Sequence, residues 1–130
     1  MIKIILALFM FSGTLLALEW SKDLNTALET AQKENKTLMV MVEGKHCRWC
    51  KKMKHRTLGD ENVEKRLEKF VLVKVMREDT NVMDILPPVK GVPTIFFMTK
   101  KKEVIEEVIG YFDVLDFTSY INDVEKKTSK

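Results

Sequence analysis

Apolar stripes at helical spacing and unbroken apolar runs alternate along this chain of 130 residues. Leu24, Ala27, Leu28 and Ala31 repeat at a period near 3.6, which predicts an amphipathic helix over residues 21–36 with Ser21 as its N-cap, Asp23 in its first turn and Asn35 as its stop. Thr37 to Val42 is apolar almost without interruption, the pattern of a central strand covered on both faces. A second helix opens at Cys47, runs to about Leu58 and stops at Gly59. Asp60 caps a third, with Val63 and Leu67 facing inward. Phe70 to Met76 reads as the next strand. Arg77 to Met83 is polar and irregular or weakly helical, and Pro87-Pro88 ends any helix there. Proline is excluded from the middle of a central strand, so Pro93 marks where the run Ile95-Phe96-Phe97-Met98 begins. Lys100 to Glu103 forms a turn, Val104 to Ile109 pairs back, and Gly110 ends that strand. Asp113 caps a last helix whose inward residues are Leu115 (or Val114), Phe117, Tyr120, Ile121 and Val124. A polar tail follows from Glu125.

The first two strands need a crossover and are therefore parallel; the last two form a hairpin. The expected architecture is α/β: a mixed four-stranded sheet with helices on both faces, plus a short extra N-terminal strand as an option. Residues 1–17 read as a signal peptide, with Lys3, an apolar stretch from Ile4 to Phe11, and cleavage after Ala17; an uncleaved membrane anchor is the alternative. Residues 18–130 then form one domain, exported to the periplasm in a cell with an outer membrane. Lys and Arg number 22 against 19 Asp and Glu, and the signs are interspersed without interleaved aromatics, which argues against nucleic-acid binding.

The only two cysteines, Cys47 and Cys50, stand three apart, a spacing that roughly 1.5% of random placements would give. A strand, a turn at Gly44, then Cys-x-x-Cys opening a helix makes a reactive dithiol. Unpaired N–H groups and the positive end of the helix dipole favour a thiolate at Cys47. Lys45, Arg48, Lys51 and Lys52 add positive charge nearby. Lowering a thiol pKa from about 8.5 to about 7 raises its ionised fraction at pH 7 roughly 16-fold. Cys50 lies one turn on and can attack a mixed disulfide at Cys47. Cys47 is the expected nucleophile and Cys50 the resolving thiol. His46 either supports the thiolate when protonated or is simply exposed. Trp49 is expected to rim a substrate groove. Glu43 is either a solvated strand end or the proton acceptor for Cys50.

Rival readings fare less well. His46, Cys47, Cys50 and His55 supply four metal-ligand types, but the adjacent pair point apart and His55 lies five residues down the helix, so no metal is expected. Lys51 stands where haem attachment needs a histidine. A structural disulfide closing four residues constrains the unfolded chain little. A chaperone or binding module holding thiol-bearing clients without turnover is the non-enzymatic alternative.

Strand, Cys47-Arg48-Trp49-Cys50, helix, then Gly91-Val92-Pro93-Thr94 leading a hairpin and a terminal helix resembles the thioredoxin fold over residues 20–125. Cys47 to Met53, with the segments 60–67 and 70–75, is similar to exported bacterial thioredoxin-like thiol–disulfide oxidoreductases. The resemblance implies that Pro93 is a cis-proline facing the dithiol and that Val92 offers backbone groups to a bound segment. It also implies protein thiol or disulfide substrates, an upstream and membrane-bound thiol donor, and no cofactor beyond the redox-active disulfide. A monomer and the reducing direction are favoured. Two departures stand out: Met41 occupies the place of thioredoxin's buried Asp, and Arg48-Trp49 replaces its Gly-Pro. Glu43 or water then takes the proton from Cys50.

Overall fold

The computed structural model describes residues 18–129; the expected leader, residues 1–17, lies outside them. Four strands, β1 (Leu38–Glu43), β2 (Val71–Met76), β3 (Thr94–Met98) and β4 (Val104–Ile109), form one sheet in the order β2-β1-β3-β4. β1 and β2 are parallel, and the other two pairings are antiparallel. The helices are α1 (Leu24–Glu34), α2 (Arg48–Lys52), α3 (Glu61–Leu67), α4 (Thr80–Met83) and α5 (Val114–Thr128). α2 passes without a break into a π-helical turn over Met53–Thr57.

All six residues of β1 are buried, because each face of the strand meets helices. Met39 and Met41 join Met53, Leu67, Phe97, Phe117 and Ile121 beneath α2, α3 and α5. Leu38, Val40 and Val42 join Leu24, Ala27, Ala31 and Phe96 beneath α1. A period of two thus splits one apolar run between two cores. Phe97 is fully buried and makes aromatic contacts with Phe70 and Phe117, its centroid 5.4 Å and 6.1 Å from theirs.

Four sequence expectations need correction. Asp23, not Ser21, caps α1, accepting the N–H of Thr26 at 2.8 Å. Ser21 instead donates its backbone N–H to Leu72, beside a single parallel bridge from Trp20 to Leu72, so the extra N-terminal strand shrinks to that bridge. Val114 rather than Leu115 turns inward on α5: Leu115 is 80% exposed. The tail is helical as far as Thr128, whose hydroxyl bonds back to the carbonyl of Val124.

The sheet order carries the end of β1 to the point where the chain must leave the core. Gly44, Lys45 and His46 make that exit. The backbone N–H of Lys45 donates to the Glu78 carboxylate at 2.9 Å, and the N–H of Arg77 donates to the carbonyl of Glu43 at 2.7 Å. His46 takes a left-handed conformation, φ 57°, uncommon for a residue with a side chain, and so aims the chain into the helix at Cys47. The Lys45 N–H holds the Glu78 carboxyl below its ordinary value, helped by Glu78's own N–H and the charges of Arg77 and Lys45.

Truncating Phe97 to alanine should cost about 3–5 kcal/mol, read as a drop in denaturant midpoint at unchanged slope. Glu78 favours the native state only while ionised, because its native pKa is depressed. That contribution is complete above the reference value of 4.5 and is lost as pH falls through the lower native value. Wild type and Glu78→Gln should therefore differ in unfolding midpoint at pH 6 and converge toward pH 3. A gap that persists at low pH would mean that the carboxylate charge does not anchor the loop.

Candidate active site

The dithiol sits where the exit loop becomes a helix. Cys47 is the N-cap of α2: its backbone is extended, and its sulfur accepts the N–H of Cys50 at 3.1 Å. A thiolate left there on reduction has that same donor, together with the positive end of ten continuous helical residues. The two cysteines are joined as a disulfide, with Cα atoms 5.2 Å apart. Their surroundings differ. Cys47 is partly exposed, whereas Cys50 is 1% exposed and packed within the core beside Met53. Only the first sulfur can be reached from outside.

The helix is shaped to keep Cys50 inward. Met53 and Thr57 are also buried, and widening the helix over Met53–Thr57 carries the backbone N–H of Leu58 to the carbonyl of Met53 at 2.9 Å. The Thr57 hydroxyl donates to the carbonyl of Phe112 at 2.6 Å, which ties this turn to the loop between β4 and α5. Just past the helix end only glycine fits at position 59, because a Cβ there would press on the carbonyl oxygen of His55.

Glu43 is not a solvated strand end. It is 9% exposed, and its carboxylate pairs with Lys54 Nζ at 2.5 Å from within the π turn. A buried carboxylate needs such a partner, and the pair clamps the helix to the end of β1. Met41, two residues earlier on the same face, is wholly buried with Cys50 and carries no titratable group.

Val92 and Pro93 precede β3, whose first residue, Thr94, pairs with Val42 near the end of β1. The Val92–Pro93 peptide bond is cis. A Cβ on Gly44 would stand 3.1 Å from Cγ2 of Val92, so this loop lies directly against the exit loop of the dithiol. The Pro93 carbonyl accepts the N–H of Gly110 at 2.8 Å, and the Thr94 hydroxyl donates to the carbonyl of Gly91 at 2.7 Å. Gly110 has φ +95°, a conformation that favours glycine, and turns the chain so that Tyr111 reaches the dithiol helix.

Trp49 is 49% exposed, with its ring 5.7 Å from that of Tyr111. Lys52 Nζ lies 4.7 Å from the Trp49 ring centre and 4.8 Å from that of Tyr111, a cation against two aromatic faces. His46, Arg48 and Lys51 are exposed around the same helix start. The structure thus gathers Glu43, His46 to Lys51, Val92 and Pro93 at one end of the sheet. It adds Tyr111, Lys54 and Glu78. Gly110 ahead of Tyr111-Phe112 hinted at the first; nothing in the residues themselves marks the other two, whose partners meet them only in the folded chain.

The match to the family model of the thioredoxin-like domain spans residues 24–125. Among solved structures, a thioredoxin from Thermus thermophilus is 26% identical, with 82% of this chain and 86% of that one covered at a TM-score of 0.69. A DsbH oxidoreductase is 16% identical, with coverages of 84% and 85% and a TM-score of 0.68. The periplasmic thioredoxin SoxS from Paracoccus pantotrophus is 15% identical, with coverages of 71% and 98% and a TM-score of 0.60. None of the curated proteins compared with the chain matches it. With its dithiol at the head of α2 and most of its length matched, the chain belongs to the thioredoxin-like family.

Proposed function

We propose that this thiol–disulfide oxidoreductase is exported and acts chiefly as a reductant of protein disulfides. The observation that carries the reading is the asymmetry of the dithiol: Cys47 is reachable and hydrogen-bonded by the Cys50 N–H, while Cys50 is enclosed. In the reduced protein the Cys47 thiolate attacks one sulfur of a client disulfide. The other client sulfur leaves as a thiolate and takes up a proton. Cys50 then gives up its proton, to Glu43 or to water, and attacks Cys47. The second client thiol is released and the Cys47–Cys50 disulfide remains. Two electrons and two protons from an upstream, membrane-bound dithiol donor restore the start. Trp49, Val92 and Pro93 line the place where a client segment lies, and Arg48 and Lys51 favour the thiolate by charge, with the exposed His46 beside them.

Export is supported by the leader pattern of residues 1–17 and by a structural neighbour described as periplasmic. Among the described residues no helix is long and apolar enough to cross a membrane.

Cys50→Ser should accumulate mixed disulfides with clients through Cys47, and Cys47→Ser should abolish turnover in a disulfide-reduction assay. Clients bound without adducts or turnover would replace the enzyme by a holding chaperone. Titration against glutathione should give a potential below about −150 mV; a higher value would reverse the proposed direction.

A further inference from the structure

We infer that the face around Cys47 is built for client segments carrying acidic side chains beside the reacting cysteine. The inference rests on the oxidoreductase reading and adds the charge of the substrate.

Between Gly44 and Gly59 the chain has no Asp or Glu but six of its 22 Lys and Arg residues. Without those six, the net charge of +3 would be −3. The positive charge of the protein is thus concentrated at the dithiol. Two of the six are already engaged: Lys54 pairs with Glu43, and Lys52 lies over Trp49 and Tyr111. Lys45, Arg48, Lys51 and Arg56 are exposed, and among the described residues none of them forms a salt bridge.

Positive charge also lies on the opposite bank. The Arg77 guanidinium approaches Gly44 beside Val92, within 3.3 Å of where a Cβ would stand. Lys90, two residues before Val92, is 68% exposed and only 3.9 Å from its nearest carboxylate, on Glu107. The acids near this region include Glu78, which acts on Lys45 and Arg77, Glu107, the exposed Asp113 two residues beyond Tyr111, and the buried, paired Glu43. They offset Arg77 and Lys90 and leave the surplus of cations on the helix side, at Arg48, Lys51 and Arg56.

Stabilising a single thiolate does not require a run of exposed cations along the helix, since the helix start and the Cys50 N–H already serve that sulfur. A segment lying between Trp49 and Val92 runs beside those cations, and its acidic side chains would be paired there. The half-exposed Trp49 ring offers apolar cover to the same segment. A flat anionic bilayer fits less well, because Cys47 and Val92 are recessed rather than proud of the surface. Steering of this kind raises association rates by about 10- to 1,000-fold and weakens with salt.

The test measures second-order rate constants for the reduced protein with three disulfide-linked peptides of one length. One has glutamates flanking the cysteine, one serines and one lysines. At low ionic strength the acidic peptide should react at least about 10-fold faster than the basic one, and the ratio should collapse toward one at 0.5 M salt. In Lys45→Glu/Lys51→Glu the same ratio should fall several-fold or invert. Using a ratio within each protein cancels any change in thiolate reactivity. Equal rates for the three peptides, or a preference insensitive to salt, would overturn the inference while leaving the oxidoreductase reading intact. Failure to reduce even the neutral peptide would overturn both. Tight binding to phosphatidylglycerol vesicles without any peptide preference would assign the charge to a lipid surface and overturn the inference.

Discussion

The enclosure of β1 on both faces is the constraint from which the rest follows. A strand with all six residues buried cannot end in the core, since the next backbone groups would lose their partners, so its end must turn outward within a residue or two. Gly44, Lys45 and His46 make that turn, and it delivers Cys47 to the surface with the helix axis already set. The pairing of Val42 with Thr94 brings the Val92–Pro93 loop to the same edge. Reactive sulfur and groove wall are thus two consequences of one buried strand.

Around that edge, short polar links do what the apolar core cannot. Glu78 holds the exit loop from outside, Glu43 and Lys54 tie the helix to the strand beneath, and Thr57 holds the Phe112 carbonyl from behind. Each joins two different elements, and together they fix the loop that presents Cys47. The core then supplies the contrast between the sulfurs, because Met53 and its neighbours enclose Cys50 while Cys47 remains at the rim.

Most of the fold was legible because its signals are local: an unbroken apolar run for β1, a proline ahead of β3, Asp60 and Asp113 as caps with their amide partners three residues on. The site was legible for the same reason, since the cysteine spacing and the strand before it lie within a dozen residues. What escaped depends on contacts that only the folded chain brings together. The Ser21 reading failed because the bridge to Leu72, some fifty residues away, keeps Trp20 and Ser21 extended, so the helix starts at Leu24 with Asp23 as its cap. Glu43 reads as a strand end until Lys54 is brought beside it. The widening of the helix at Met53 has no signature in its residues. Leu115 and Val114 are adjacent apolar candidates, and only packing against the sheet decides between them.

The placement of the two tryptophans has one more consequence. Trp49 sits between the cysteines under a lysine ammonium, whereas Trp20 bridges to Leu72 near the opposite end of the sheet, beneath Lys74. A disulfide quenches a neighbouring indole by drawing an electron from its excited state, and a dithiol does so far less. The ring between the cysteines is therefore coupled to the oxidation state of the sulfurs. The molecule carries an optical gauge of its own electron load.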